Sequence, residues 1–465
     1  MFWHLIEPRK ITAGTIVEIM LMNLFCHDIY RVKYTKVHAG TTKICCREDM
    51  TGTQHTGERI VAGLDLGGTK LAAAVFAADA RGESVSFVSS LENIKYHAML
   101  DDEAQRGLTV EGRSKLIERA MVGAVRELLK EAGAECVDAV GVASAGFVED
   151  GRVIEALNTG MKNYPLKERL EKELKTQVFL YKDSWTPIYA LPPGNGDSIV
   201  FSLGTGFGGV SSRGGGRVSL RSRTARNKPV WIPNLAMNDD PGFAATFSSA
   251  DLHTLLLLGI ERYEDSGAEK PGAEVRKILD TLPGAIRQHA RDKKKMSPGK
   301  LEMFMARALA PRAASRIRSD QVFADLTGAA DFPAFLYEKF TGLEIMPQEL
   351  DRRLGGGDSV AALCFFIQAE FIGRVLALMQ KERLENGLPP ATRIYGTGSG
   401  YNAVTSKILG PALCAALSDH ARVMKIGLAP DALPRNAELL VCSQGATTLP
   451  CLGAALGASR GIVQN

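Results

Sequence analysis

Residues 60–76 read IVAGLDLGGTKLAAAVF, and this stretch decides the fold. Ile60, Val61, Leu64 and Leu66 form an apolar run broken by small residues and one acid, Asp65, which predicts a buried strand over Arg59 to Leu66. A turn rich in glycine follows, and Leu71 to Phe76 is a second apolar run, so the pair reads as a β-hairpin. The plan returns at 198–212, SIVFSLGTGFGGVSS: a buried strand, a Gly/Thr turn, then a returning strand. A plan used twice in one chain points to two related domains facing each other.

Working outward, Ser84 to Ser89 supplies a third strand. Apolar residues from Leu116 to Leu129 recur at helical spacing, which predicts a helix over Ser114 to Ala132 ended by Gly133. Val137 to Ala143 and Gln177 to Tyr181 read as further strands, with a charged helix at Leu166 to Leu174 between them. Residues 214–230 read as a loop, and 250–350 as mostly helical, with a solvated basic stretch from Arg287 to Lys300. A long helix over Ser359 to Leu384 precedes a strand (Thr392 to Tyr395), a third glycine turn (Gly396 to Gly400) and a helix to Leu417. A helix of small residues, Leu452 to Arg460, closes the pattern.

The chain has 465 residues, too many for one ordinary core. Apolar residues make up 45% and charged residues 23%, the balance of a soluble globular protein. A net charge of +4 over this length argues against a large nucleic-acid footprint. The eight cysteines show no zinc spacing and read as reduced thiols of a cytoplasmic protein. No apolar run reaches the ~18 residues of a membrane span. Residues 1–49 lack a signal or transit pattern, and Met50 reads as the natural start.

Three glycine turns after strands, at 65–70, 204–209 and 396–400, carry the chemistry. Without a Cβ, successive backbone N–H groups can close on phosphate oxygens. The expected nucleotide-binding residues are Asp65, Gly67, Gly68, Thr69 and Lys70 in the first turn, and Gly204, Thr205 and Gly206 in the second. Gly396, Thr397, Gly398, Ser399 and Gly400 make up the third. None fits a Walker loop or a dinucleotide fingerprint. Asp65, at a strand end, is a candidate Mg²⁺ ligand, because magnesium takes oxygen ligands and keeps several waters. The plainer reading of Asp65 is a turn cap, and of Lys70 a solvated side chain.

Beyond the first turn come GVASAGFVEDGRV (141–153), ALNTGMKNYPLKERLEKEL (156–174), Asp183 after a strand, and SLGTGFGG (202–209). In this order they resemble the ROK (repressor, open reading frame, kinase) sugar kinases. DSVAALCFFIQAEFIGRVLALM (358–379) and LGAALGAS (452–459) are similar as well. The resemblance implies an α/β, two-domain actin-like ATPase (ribonuclease H-like) fold with duplicated βββαβα cores and a central cleft. It implies ATP and Mg²⁺ as cofactors and a sugar hydroxyl as acceptor. Asp183 is then the general base. Ser144, Ala145, Gly146, Asn158 and Thr159 line the sugar pocket with Asp183. The domains expected are a leader over 1–58, a sugar and phosphate domain over 59–192, and a nucleotide domain over 193–465. The last carries a helical insertion at about 250–350, and its final helix can pack back on the first domain. A small-molecule sugar is the expected partner, with no nucleic acid and no membrane, and a homodimer is compatible.

The chain departs from the family in two places. Lys182 stands where the family has Asn before the Asp. The Glu-x-Gly-His segment and its cysteine-rich motif are missing, and VWIPNLAMNDDPG (230–242) stands instead. The acceptor is therefore open among a hexose, the glucokinase-like choice, and a ketose, polyol or amino sugar. GTGSGYNAVTSKIL (396–409) also resembles the xylulokinase-like family, and this resemblance implies a ketose or polyol. A non-catalytic sugar sensor and an actin-like ATPase are the readings from other classes.

Overall fold

A computed structural model describes residues 59–67, 70–82, 85–94, 108–156, 159–191, 196–204, 207–213, 216–217, 246–247, 249–268, 272–294, 322–323, 330–402, 404–428, 434–436 and 448–464. The expected leader at 1–58, the segment 230–242 and most of the expected loop at 214–230 lie outside the described residues.

The hairpin that opens the sequence is β1 (Arg59–Leu66) and β2 (Leu71–Ala78), paired antiparallel with Leu66 opposite Leu71. β3 (Val85–Ile94) joins β2 antiparallel, while β4 (Ala139–Ser144) and β8 (Gln177–Lys182) extend the sheet in parallel from β1. The sheet order is β3-β2-β1-β4-β8. Both parallel crossovers are helical. α1 (Val110–Ala132) leads to β4, and α2 (Leu166–Leu174) leads to β8. α1 starts three residues or more before the periodicity alone places it, because the Thr109 hydroxyl accepts the Gly112 N–H and caps it. Gly133, in the left-handed region at φ 66°, ends it. Ile117, Met121, Val125 and Leu128 on α1 are buried against the sheet.

Between β4 and α2 lies a feature the periodicity did not reveal, a small sheet of β5 (Phe147–Glu149), β6 (Arg152–Ala156) and β7 (Met161–Tyr164). Strands this short leave too few alternations to read.

The second half repeats the plan. β9 (Ser198–Leu203) pairs antiparallel with β10 (Phe207–Arg213), and β10 with β11 (Gly216–Arg217). β14 (Arg393–Thr397) and β15 (Pro434–Asn436) add in parallel. The order β11-β10-β9-β14-β15 matches the first sheet strand for strand, in direction as well as sequence. Two such sheets, each three strands antiparallel and two parallel, are the duplicated cores of the two-domain actin-like ATPase fold.

In this half α3 (Pro187–Ala190) precedes β9, and an insertion separates β11 from its crossover helix. The insertion carries α4 (Ser249–Asp265), α5 (Ala273–Ile278), α6 (Leu282–Lys294), α7 (Phe332–Thr341), α8 (Pro347–Gly355) and the short pair β12 (Thr246–Phe247) and β13 (Val322–Phe323). The crossover helices are α9 (Ser359–Glu385) and α10 (Thr405–Val423). α9 is long and apolar enough to cross a membrane, but it is mostly buried within the fold. Glu370, Glu382 and Arg383 of this helix are buried too, and Glu370 is ion-paired to Arg262 of α4 and 3.0 Å from His420 of α10. Of the cysteines, Cys364, Cys414 and Cys451 are free, whereas Cys136 is disulfide-bonded, against the expectation of reduced thiols throughout.

The final helix, α11 (Leu449–Gln464), does not cover the second sheet; it lies on β1 and β4 of the first. Glycine permits the approach. A Cβ on Gly63 would stand 2.2 Å from the Cys451 carbonyl oxygen, and one on Gly141 only 1.9 Å from that of Ala454. Leu449, Cys451, Leu452 and Ala455 join Val61 and Phe76 of the first sheet to Val200, Val210 and Tyr395 of the second in one buried cluster. Gly141→Ala forces backbone from backbone, and a loss of about 3 kcal/mol is expected, the upper end for overpacking. Gly123→Ala, on α1 with open space at its Cβ, is expected to gain about 0.5–1 kcal/mol. Denaturant unfolding of both variants checks the contrast.

Candidate active site

β1, β4 and β8 run parallel with Leu66, Ser144 and Lys182 in register, so their C-terminal ends lie side by side. Such ends are where open α/β sheets bind ligands. Asp65 is at the end of β1, Ser144 closes β4, and Asp183 follows β8 directly. Adjacent strands stand about 4.8 Å apart; Tyr181 is level with Asp65 two strand spacings across, and Asp183 lies two residues beyond it.

Backbone bonds tie the three ends together. Ala145 N–H donates to Leu66 O at 2.8 Å, and Asp183 N–H to Ser144 O at 3.0 Å. Gly146 takes φ 95°, which a side chain rarely tolerates, and turns the chain away into β5. The Asp183 carboxylate is partly buried and accepts the Ser184 N–H at 2.7 Å through Oδ1. The Thr186 hydroxyl donates to its carbonyl at 2.9 Å. These contacts hold the turn after β8 and leave a carboxyl group at the sheet end. Burial raises its pKa above the usual aspartate value, opposed by the Lys182 charge and the Ser184 N–H. Beside it the Ser184 hydroxyl is buried and without a hydrogen-bond partner among the described residues.

At the first glycine turn, Gly67 N–H donates to Lys70 O at 3.0 Å and Lys70 is exposed; Gly68 and Thr69 lie outside the described residues. Asp65 Oδ2 accepts the Thr448 hydroxyl at 2.7 Å. Ser144 is fully buried, its hydroxyl donating to Ala145 O at 3.1 Å. Thr159 is buried as well. Its hydroxyl donates to Ala156 O and accepts the Met161 N–H, both at 3.3 Å, so it holds the β6–β7 turn; Asn158 lies outside the described residues.

A second group of expected residues gathers at the end of the second sheet. Gly204 follows β9, its carbonyl accepting the Ala330 N–H at 2.8 Å; Thr205 and Gly206 lie outside the described residues. Gly396 and Thr397, expected in the third turn, are instead the last two residues of β14. A Cβ on Gly396 would strike the rings of Tyr401 and Phe201 at about 2.5 Å, and one on Gly400 would meet Leu203 and Ala330. Gly398, at φ 91°, and the exposed Ser399 form the rim.

Residues 61–215 match the model of the ROK family. No curated protein matches the chain significantly. Among solved structures, the chain is similar to a ROK hexokinase from Thermus thermophilus at 18% identity and TM-score 0.49, covering 87% of this chain and 100% of that one. A ROK family glucokinase from Streptomyces griseus, in complex with glucose and AMPPNP, gives 19% and 0.44, covering 86% and 100%. A ROK family transcriptional regulator, a homolog of the E. coli MLC protein, gives 13% and 0.45, covering 88% and 81%.

The ROK-matched segment contains Asp65, Ser144 to Gly146, Asp183 and Gly204. Two polar neighbours of the site escaped the sequence reading. Ser184 follows Asp183 directly, and no motif marks it. Thr448 had a local signal, a Thr two residues before Pro450, which marks a helix start. No local signal links it to Asp65, 383 residues away.

Among the described residues no group of three His, Cys, Asp or Glu side chains is placed to hold a metal. One carboxylate at a strand end fits magnesium that arrives with nucleotide phosphates and keeps its waters; it does not fit an all-protein cage.

Proposed function

We propose that this chain transfers the γ-phosphoryl group of ATP to a sugar hydroxyl, with Asp183 as the general base. The observation that carries the reading is the row of Asp65, Ser144 and Asp183 at three adjacent parallel strand ends, inside the ROK-matched segment. A half-buried carboxylate with a raised pKa is a stronger base than an exposed one. It takes the hydroxyl proton as the sugar oxygen bonds to the γ-phosphorus and the bond to the β-phosphate oxygen breaks, releasing ADP.

Asp65 is the residue that would hold magnesium, which when bound with ATP offsets phosphate charge. Gly67 to Lys70 and Gly204 to Gly206 would cradle the phosphates, and Gly398 and Ser399 would edge the adenosine. In this reading 59–192 is the sugar side and 193–465 the nucleotide side. Closure of one on the other excludes water and suppresses ATP hydrolysis. The acceptor we favour is a hexose, glucokinase-like, and the setting cytoplasmic.

The test is ADP release, coupled to an indicator, over a panel of hexoses, amino sugars, ketoses and polyols. Release that depends on one sugar class supports the kinase and names the acceptor. Release at the same rate without sugar would mark an ATPase, and sugar binding without release would mark a sensor.

A further inference from the structure

Thr448 lies far from the matched segment, yet its hydroxyl sits on the carboxylate of the first glycine turn. It donates to Asp65 Oδ2 at 2.7 Å, and the Thr448 hydroxyl oxygen itself accepts the Cys451 N–H at 3.3 Å. One side chain therefore caps α11 and grips Asp65 at once. The helix it caps cannot drift. The Cys451 thiol donates to Gly63 O at 3.1 Å, two residues before Asp65. Gly63 and Gly141 let the α11 backbone touch β1 and β4, as described above. A Cβ on Gly453 would stand 1.9 Å from the Thr186 carbonyl oxygen, in the turn whose Thr186 hydroxyl holds the Asp183 carbonyl. The first two turns of α11 thus touch the segments bearing both candidate acids.

We propose that Thr448 is a positioning residue: through its hydrogen bond it sets the Asp65 carboxylate for magnesium-bound nucleotide, and α11 keeps that carboxylate in fixed relation to Asp183. The proposal rests on the phosphoryl-transfer reading for the role of Asp65. A hydrogen bond from a neutral hydroxyl leaves the carboxylate its charge and removes its rotational freedom. Outer partners of this kind commonly change metal affinity 10–100-fold when removed.

The experiment is ATP binding to the full chain, followed by calorimetry across a magnesium series, with no sugar present. Thr448→Val keeps the shape and removes the hydroxyl. It is expected to raise the magnesium needed for half-maximal binding about tenfold, whereas Thr448→Ser stays within about twofold of the parent. Asp65→Asn should weaken the magnesium dependence on its own, and adding Thr448→Val to it should change nothing further, because the two residues act through one bond. A folded Thr448→Val protein with the parent's magnesium dependence overturns the proposal, as does a Thr448→Ser protein as impaired as the valine variant. If Thr448→Val does not fold, Thr448→Ala replaces it: a folded alanine variant should also need about tenfold more magnesium, and one with the parent's magnesium dependence overturns the proposal. Magnesium-dependent ATP binding that follows this pattern, in a protein that phosphorylates no sugar, refutes the kinase reading and leaves Thr448 in its role. Absence of magnesium-dependent ATP binding in the parent refutes both.

Discussion

Asp183→Asn is expected to lower kcat for sugar phosphorylation by about 10²–10⁴, the usual worth of a positioned general base, with little change in ATP affinity. The amide keeps the shape, and its oxygen can still accept the Ser184 N–H that Asp183 Oδ1 accepts at 2.7 Å. Only the proton acceptor is lost. Because burial raises the pKa of Asp183, its ionised form is the less stable one in the folded protein. The fold therefore gains from a protonated Asp183 at low pH and loses that gain as pH rises through the raised pKa. Activity runs the other way, since the base works only when ionised. The acid limb of kcat against pH should lie above the ordinary aspartate value of about 4, and Asp183→Asn should abolish that limb. The same variant should melt no lower than the parent at neutral pH. A rate within threefold of the parent would refute the assignment; a large drop in melting temperature would show that the carboxylate serves the fold.

Arg383→Leu is expected to destabilise the second half by about 3–5 kcal/mol, the cost of breaking a buried pair from one side. Arg383 is fully buried near the end of α9. Its Nη2 pairs with Asp197 at 2.8 Å, just before β9, and Nε donates to Pro389 O at 2.8 Å. Nη1 donates to the Ser211 hydroxyl and, at 3.1 Å, to Ser212 O on β10. Leucine fills part of the volume and leaves Asp197 and three oxygens without their donor. Lysine cannot repair the loss, because one ammonium cannot span the fork. Thermal melting reads the effect, and the double variant with Asp197→Asn should cost less than the sum of the two single changes.

Much of the architecture was legible because it is local. A strand, a glycine turn and a return strand declare themselves within seventeen residues, and they did so at both 60–76 and 198–212. The matched sheet orders β3-β2-β1-β4-β8 and β11-β10-β9-β14-β15 bear out the duplication drawn from them. The helices were readable from periodicity, with ends misplaced where a cap decided, as Thr109 does for α1. The strands of 147–164 were not readable, being three to five residues long.

The site divides along the same line. Asp65 is marked by its own strand and glycine turn, whereas Ser144 and Asp183 are marked as site residues by the family resemblance; each of the three strands is a local pattern. That their ends lie in one row follows only from the parallel pairing of β1, β4 and β8, a choice among distant partners that no window of sequence contains. The role of glycine changed in the same way. Gly396 and Gly400, expected to admit a ligand, are packed against Phe201, Tyr401, Leu203 and Ala330; Gly63 and Gly141 admit α11, and Gly453 on α11 admits the Thr186 turn. By itself the sequence determined the strands, the turns and Asp65 at a strand end, because backbone propensity and alternation act over a few residues. Only the tertiary structure brought Thr448 to Asp65 and α11 across to the first sheet, because close packing is settled between surfaces hundreds of residues apart.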